Sequence, residues 1–560
     1  AVILENGADM VFNNYLIWAL FLPLGTTWSI DSIKNSLNRI PEFDSNDLNK
    51  KIDTQPKLIF HFAYIACLIQ LSMIYYYNGI NKTGDMWIKD YTAIHYMYQL
   101  DTFLTFIGEF LKNTLPLFVI KLLTKMTLYM EYFAPLLILS PIFQPWFRRI
   151  VLFLFIPFHV IILLSVNIGM FSWVMIAVLM LLVSSNDFNY LKTIMKRVFK
   201  RKYIVFYDRD CGFCHLSARI IKRMDLFACI IWADRLHNGD VPKKLDSLLK
   251  TSIVVWDQKT DKIWLRHRAF SKIISVLPIG FLFSWILIIP FLEKIFGYIY
   301  DLIANNRTSI SKLMSLPACG IQNTINKEDI NIKKVNPLFQ KLRQGIYIIS
   351  NVIVFSLLVG AVDYSIQINK VSNSKDKKNQ IKSKSARTST YWDKPRRQMK
   401  RILLYPRMHQ KWNMFSPKVI IFEKWVVADV TFKNGEMLSL FHNNLDLTKN
   451  MNYKDFSPYN NQFWRKLFGR LGKSSYKKNI PKFKKWLKES DYFPEYRGRE
   501  VASVKLWQLS EKASDPYEAY PRPKVTKREL KANTTKNRNR VTKKFSSGRN
   551  KKNIQKKIKN

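Results

Sequence analysis

Apolar runs of bilayer length constrain this chain more than any other feature. A backbone carried through hydrocarbon must satisfy its hydrogen bonds inside a helix or a closed barrel. Leu58 to Tyr77 is one such run, broken only by His61, and others cover Phe103–Leu123, Met126–Phe143, Ile150–Leu164 and Ile168–Val183. Together they predict five membrane helices before residue 190. Phe12–Leu24 is shorter and cut by Pro23 and Gly25, so it reads as the end of a span or a re-entrant piece. Ile346–Val362 predicts a later span, whereas Leu277–Leu292, interrupted by Pro278 and Pro290, predicts a helix lying on the membrane surface.

Charge is as unevenly placed as hydropathy. The chain carries 88 Lys and Arg against 41 Asp and Glu, a formal charge of +47. Lys121, Lys125, Arg148 and Arg149 mark connections between runs. Lys192, Lys196, Arg197 and Lys200–Lys202 follow the last run before residue 190, so that side should face the cytoplasm or an equivalent compartment. Residues 365–402 read as a basic linker. Residues 516–560 read as a disordered basic tail, with sixteen Lys or Arg and one acid, Glu529, between Pro521 and Asn560. Phosphate-bearing surfaces suit such a tail. Membrane lipids and docking on a neighbouring membrane subunit or RNA are the open readings, and sequence-specific nucleic-acid recognition is disfavoured because no recognition fold surrounds the charges. Five cysteines in 560 residues exclude a disulfide scaffold.

From Tyr203 onward short β-rich runs alternate with helical ones, the pattern of a compact α/β domain over residues 200–322. Where its first strand gives way to a helix stands Tyr207-Asp208-Arg209-Asp210-Cys211-Gly212-Phe213-Cys214. A thiolate at a helix start is stabilised by free backbone N–H groups and the helix dipole, and Arg209 adds positive charge, so Cys211 is the expected nucleophile. Cys214, one turn later, is placed to resolve a mixed disulfide. A structural zinc site and a pair of inert thiols are the competing readings. Zinc takes about four ligands, and only His215 adjoins the pair, so no metal is assigned. Cys67, Cys229 and Cys319 read as isolated core residues. Past the linker, residues 403–515 alternate apolar and polar positions around Asn434-Gly435, which predicts a hairpin in a small α+β domain.

The YDxDCxxC string, with Ala304-Asn305-Asn306-Arg307 and Cys319, resembles the thiol-disulfide oxidoreductase DCC family. The resemblance implies a thioredoxin-like fold, a redox role for Cys211 and Cys214, and proton transfer or loop structure for Asp208 and Asp210. Thr251-Ser252 stands where thioredoxins place a cis-proline. The apolar half has its own resemblance. Phe21–Gly25 with Trp28–Asp31, Tyr77–Lys82 with Trp87, Phe158-His159, Ile168–Ser172 and the later Gln410–Pro417 are similar to HTTM proteins, the group that includes vitamin K-dependent gamma-carboxylase. That family has further spans before its FLPLG string, which implies that an N-terminal part is absent here or is supplied by another subunit. It also implies a membrane quinone as cofactor, with Lys82, Trp87 and His159 at its site. His159 and Glu131, ionisable groups inside apolar runs, face a bundle interior as a structural pair or a functional pocket.

The expected architecture is a polytopic α-helical membrane bundle over residues 1–190, an inserted α/β thioredoxin-like domain, an additional span over residues 340–364 and a small C-terminal α+β domain. The expected function is membrane-bound thiol-disulfide exchange with an unidentified thiol partner, linked to a quinone. The alternative is a non-catalytic accessory or scaffold subunit of a larger complex. A multi-pass protein of the bacterial inner or mitochondrial inner membrane fits either.

Overall fold

Proline marks where one apolar helix starts, at Pro116, and lies inside others, at Pro135 and Pro157. The computed structural model describes residues 6–26, 29–37, 61–198, 202–208, 211–227, 229–234, 245–314, 316, 337–370, 393–408, 410–412, 414–441, 462–517 and 526–531. Arg209, Asp210, Trp28, Asn413 and Cys319 lie outside the described residues, as do most of the linker and nearly all of the basic tail. The chain divides into two compact units. One comprises Ala1–Tyr15, Leu68–Met180 and Gly360–Asn560, the other Leu16–Cys67 and Leu181–Val359.

In chain order the helices of the apolar half include α1 (Phe62–Ile80), α2 (Phe106–Thr114), α3 (Leu117–Leu139), α4 (Gln144–Ser165) and α5 (Phe171–Leu179). Among the described residues, three helices are long and apolar enough to cross a membrane: Leu117–Leu139, Gln144–Ser165 and, later in the chain, Lys341–Asn369. Two of these helices precede residue 190, where five spans are expected, and the bent pair Phe171–Leu182 with Ser185–Met195 adds one more if it is a single broken span. The boundary between the second and third expected runs was misplaced. Leu115, which precedes Pro116, is extended, as the clash with a following proline ring favours. Pro116 then caps α3, where its missing N–H costs nothing. Lys121 and Lys125, read as a connection, lie inside α3, where Lys121 stands over the Tyr517 ring at 5.2 Å and Lys125 over the Tyr91 ring at 4.6 Å. Helix α1 buries Gln70, Ser72 and Asn78 and is too polar to count as a span. The last run closes in a 3-10 turn, Met180–Leu182, after the nine residues of α5.

The other unit carries β1 (Tyr203–Tyr207), α6 (Gly212–Met224), β2 (Ile230–Asp234), β3 (Val254–Asp257), β4 (Lys262–Leu265), α7 (Arg266–Ser275), α8 (Pro290–Asn305) and α9 (Arg307–Leu313). Its sheet has the order β2-β1-β3-β4. Strands β1 and β2 run parallel, with Tyr203 opposite Ile230 and Tyr207 opposite Asp234. Strand β3 is antiparallel to both β1 and β4. This arrangement is consistent with a thioredoxin-like core. Val205, Tyr207, Trp232 and Val255 pack with Ala218 from α6 and with Ala269 and Ile273 from α7. Leu277–Leu292 is not one helix. Ile279 enters the left-handed region at φ 63°, and two 3-10 turns, Gly280–Leu282 and Ser284–Ile288, precede Pro290, which opens α8.

Helix α10 (Pro337–Lys370) contains the third helix long and apolar enough to cross a membrane. Beyond it stand β5 (Phe422–Phe432), β6 (Met437–Leu440), α11 (Gln462–Leu471), α12 (Ile480–Glu489), β7 (Val501–Lys512) and β8 (Thr526–Glu529). They form an antiparallel sheet of order β6-β5-β7-β8. The β5–β6 turn needs Gly435, whose φ is 88°. Phe468 and Leu471 of α11 and Phe483 and Leu487 of α12 fill the core above Trp425 and Val427.

One buried cation ties this sheet domain to the helices of the same unit. Arg465 donates to the carbonyl of Thr102 at 2.8 Å and to that of Asn167, and its guanidinium lies 4.0 Å from the Phe103 ring centroid. Burial pushes its pKa down to about 10. Replacing Arg465 with Ala leaves two carbonyls without this donor, and we expect a loss of about 2–4 kcal/mol. A lowered melting temperature in detergent, partly restored by Arg465→Lys, is the measurement; an unchanged one removes this tie.

Candidate functional site

The parallel β1–α6–β2 unit sets the dithiol geometry. Strand β1 ends at Tyr207, and Cys211 becomes the N-cap of α6, extended at φ −91° and ψ 114°, with its sulfur accepting from the Cys214 backbone N–H at 3.5 Å. Another N–H in this first turn, that of Phe213, is satisfied at 3.0 Å by the hydroxyl of Ser311 on α9. Asp208, at the end of the strand, pairs with Arg307 at 3.2 Å. Two strings quoted separately in the sequence thus meet: the Arg that closes Ala304–Arg307 neutralises the first acid of the cysteine motif. Behind the helix, Tyr207 Oη and His215 Nδ1 are 3.2 Å apart, and the Arg219 Nε–H donates to His215 Nε2 at 3.3 Å.

The two sulfurs are made unequal. The Cys214 thiol donates to the Cys211 sulfur, and this, more than any other influence, pushes the Cys211 pKa down to about 6. Burial opposes the shift, the Cys214 N–H supports it, the Asp208 carboxylate opposes it and Arg307 supports it. For the same hydrogen bond, with burial and the neighbouring negative sulfur, Cys214 moves strongly upward. Cys229 behaves as an ordinary core thiol, raised to about 11 by burial and then by Asp225. Cys211 is only 1% exposed, while Cys214 is half-buried. Among the described residues no group of three or more His, Cys, Asp or Glu side chains could hold a metal ion.

A cavity of about 430 Å³ opens beside the pair. Cys214, Trp232, Phe270, Phe296 and Ile303 give it apolar walls, and Asp208, Ser252 and Arg307 stand at its polar part. Ser252, where a thioredoxin has its cis-proline, is extended, and the N–H of the next residue, Ile253, donates to Tyr300 Oη at 3.1 Å. Tyr300 thereby occupies a donor that an extended peptide would otherwise take. Tyr300 and Ser311 escaped sequence reasoning because no local pattern marks a hydroxyl that reaches back from a later helix.

Lys82, Trp87 and His159 belong to the other unit, and there they do come together. Lys82 pairs with Glu131 and stands 4.9 Å over the Trp87 ring. Tyr75 Oη lies 3.0 Å from His159 Nε2, and His159 Nδ1 is buried with no hydrogen-bond partner among the described residues. All five residues line a cavity of about 170 Å³ whose walls include Phe158, Phe171 and Met414. The Gln410–Pro417 string closes it: Asn81 donates to Trp412 O at 2.7 Å, Trp87 Nε1 to Phe415 O at 2.9 Å, and the Gly84 N–H to Pro417 O at 2.8 Å.

Residues 205–313 match the family model described as DCC1-like thiol-disulfide oxidoreductase, so this part of the chain is a domain of that family. No curated protein and no solved structure matches the chain.

The charge geometry sets the pH behaviour. Alkylation of Cys211 should rise with a midpoint near pH 6. Asp208→Asn should move that midpoint down and Arg307→Ala should move it up, because the carboxylate raises and the guanidinium lowers the thiol pKa. Peptide-resolved alkylation across pH checks all three, and a midpoint near the free-thiol value of about 8.5 overturns the assignment.

Proposed function

We propose that this protein is a membrane-bound thiol-disulfide oxidoreductase in which Cys211 attacks and Cys214 resolves. The observation that carries the reading is the donor set on one sulfur: the Cys214 N–H and thiol both point at Cys211 and push it down to about 6. The family match of residues 205–313 supports the reaction class. In the cycle, the Cys211 thiolate displaces one sulfur of a partner disulfide and forms a mixed disulfide. Cys214, deprotonated as it attacks, then releases the partner as its dithiol and closes the Cys211–Cys214 bond. Two electrons pass to the partner. Asp208, held by Arg307 and lining the pocket beside Cys214, is placed to take the Cys214 proton.

The membrane half supports a finer reading, a link to a quinone. A bound quinone would accept two electrons and two protons from the dithiol and so re-form the Cys211–Cys214 disulfide when exchange runs in the other sense, with a partner dithiol as donor; reduction of a partner disulfide would instead draw its two electrons and two protons from the quinol form. The residues fit such a group: the cavity around Lys82 is apolar-walled, and His159 offers a buried ring nitrogen with no partner among the described residues. Lys82 and His159 would hold ring oxygens, Trp87 would stack, and Glu131 would keep Lys82 in place. The resemblance of the flanking strings to HTTM proteins agrees with this reading.

Cysteine variants in membranes test the exchange chemistry. With Cys214→Ser, a mixed disulfide to a thiol protein should accumulate on Cys211; with Cys211→Ser it should not. The reverse pattern would reassign the nucleophile, and two thiols that alkylate independently with ordinary pH dependence would return the chain to a scaffold role. A short-chain quinone added to membranes should oxidise the pair. Lys82→Ala should slow that oxidation several-fold without moving the Cys211 midpoint, and an unchanged rate removes the quinone link.

A further inference from the structure

Helix α8 is apolar on two sides. Its inner side gives Phe296 and Ile303 to the wall of the redox pocket. Phe291, Ile295, Tyr298 and Leu302, at spacings of four, three and four, form one outward stripe, and Phe291 is 79% and Tyr298 70% exposed. The preceding 3-10 turns extend the patch with Phe281 and Trp285, 62% and 55% exposed. An apolar stripe that faces outward while the opposite side of the helix already serves the core is a patch that marks a surface meeting something else.

Charge and chain continuity select lipid. The acids of α8 are each covered by an arginine from α7: Glu293 by Arg268 at 2.5 Å and Asp301 by Arg266. Lys294 is exposed on the same helix, and Lys312 on α9. The segment therefore presents aromatic and aliphatic side chains with cations among them and its carboxylates neutralised, the composition of an interfacial helix on an anionic bilayer. The domain is also bracketed in sequence by two helices long and apolar enough to cross a membrane, Gln144–Ser165 and Lys341–Asn369. We propose that residues 279–302 are a membrane-seated face of the redox domain, inserted at the headgroup and acyl boundary through Phe281, Trp285 and the Phe291–Leu302 stripe.

The test uses the full chain in nanodiscs of phosphatidylcholine and phosphatidylglycerol that contain a phospholipid with an acyl-chain diazirine. After photolysis, peptides are mapped by mass spectrometry. Residues 279–302 should carry several-fold more lipid adduct than the exposed Lys259–Asp261 turn of the same domain, with Leu117–Leu139 as the positive control. Phe291→Lys combined with Tyr298→Lys should lower adducts at Phe281 and Trp285 several-fold while the control span stays labelled. Labelling no higher than that of the turn overturns the proposal. So does crosslinking of this face to a second copy or another protein in place of lipid. Thiols take no part in diazirine capture, so this result is independent of the exchange chemistry.

Discussion

A sulfur kept as thiolate needs donors aimed at it, and in this protein those donors exist because β1 and β2 pair in parallel on either side of α6. A parallel pair demands a crossover, the crossover here is a helix, and the helix start offers N–H groups that no turn of its own satisfies. Cys211 takes the Cys214 N–H, while Ser311 takes that of Phe213. Ser311 is itself held in place by α9, which begins at Arg307, the residue that neutralises Asp208. Helix start, ion pair and capping hydroxyl thus form one arrangement. Loosening α9 would free a carboxylate near the thiolate, which disfavours the negative sulfur, and would leave the Phe213 N–H without its Ser311 partner.

Much of this was legible in the sequence because it is local. The strand-to-helix change at Asp208–Gly212 follows from Tyr203–Tyr207 being β-branched and aromatic and from a helical period after Gly212. The Asn434-Gly435 hairpin needs only a left-handed glycine between alternating runs. What was not legible is non-local. Asp208 and Arg307 stand ninety-nine positions apart, and Ser311 reaches Phe213 across ninety-eight. No period or propensity records such a meeting. The boundaries of the apolar helices were not legible for a different reason: hydropathy measures the apolar runs but not the break at Leu115-Pro116, and α3 continues through Lys121 and Lys125, which stand over the Tyr517 and Tyr91 rings.

The helical unit shows the opposite economy. Lys82 and Glu131 are a buried ion pair, and burial of two charges returns little stability even when the pair is well made. Apolar residues of like volume would serve packing at least as well. The surroundings do not exploit the pair for packing either: a cavity lies against it, and His159 beside that cavity carries a ring nitrogen with no hydrogen-bond partner among the described residues. Strings far apart in sequence, Tyr77–Trp87 and Gln410–Pro417, are joined by hydrogen bonds around this cavity. Polar groups are thus concentrated around a cavity, where apolar side chains of like volume would pack at least as well.

The redox pocket differs from a peptide-docking thioredoxin in a way that bears on what it accepts. An extended substrate strand binds by pairing with backbone beside the dithiol, yet the Ile253 N–H is already spent on Tyr300, and Ser252 stands where the proline would be. What remains beside Cys214 is side-chain surface, mostly aromatic and aliphatic, with one neutralised ion pair at its polar part. Affinity there comes from apolar contact, and selectivity from fitting about 430 Å³ next to a sulfur. Helix α8 supplies both the Tyr300 hydroxyl and much of that apolar wall, so the element that closes the peptide edge also opens an apolar one. Beside Cys214 the fold thus leaves an apolar side-chain wall, while the backbone donor that an extended strand would need is taken by Tyr300.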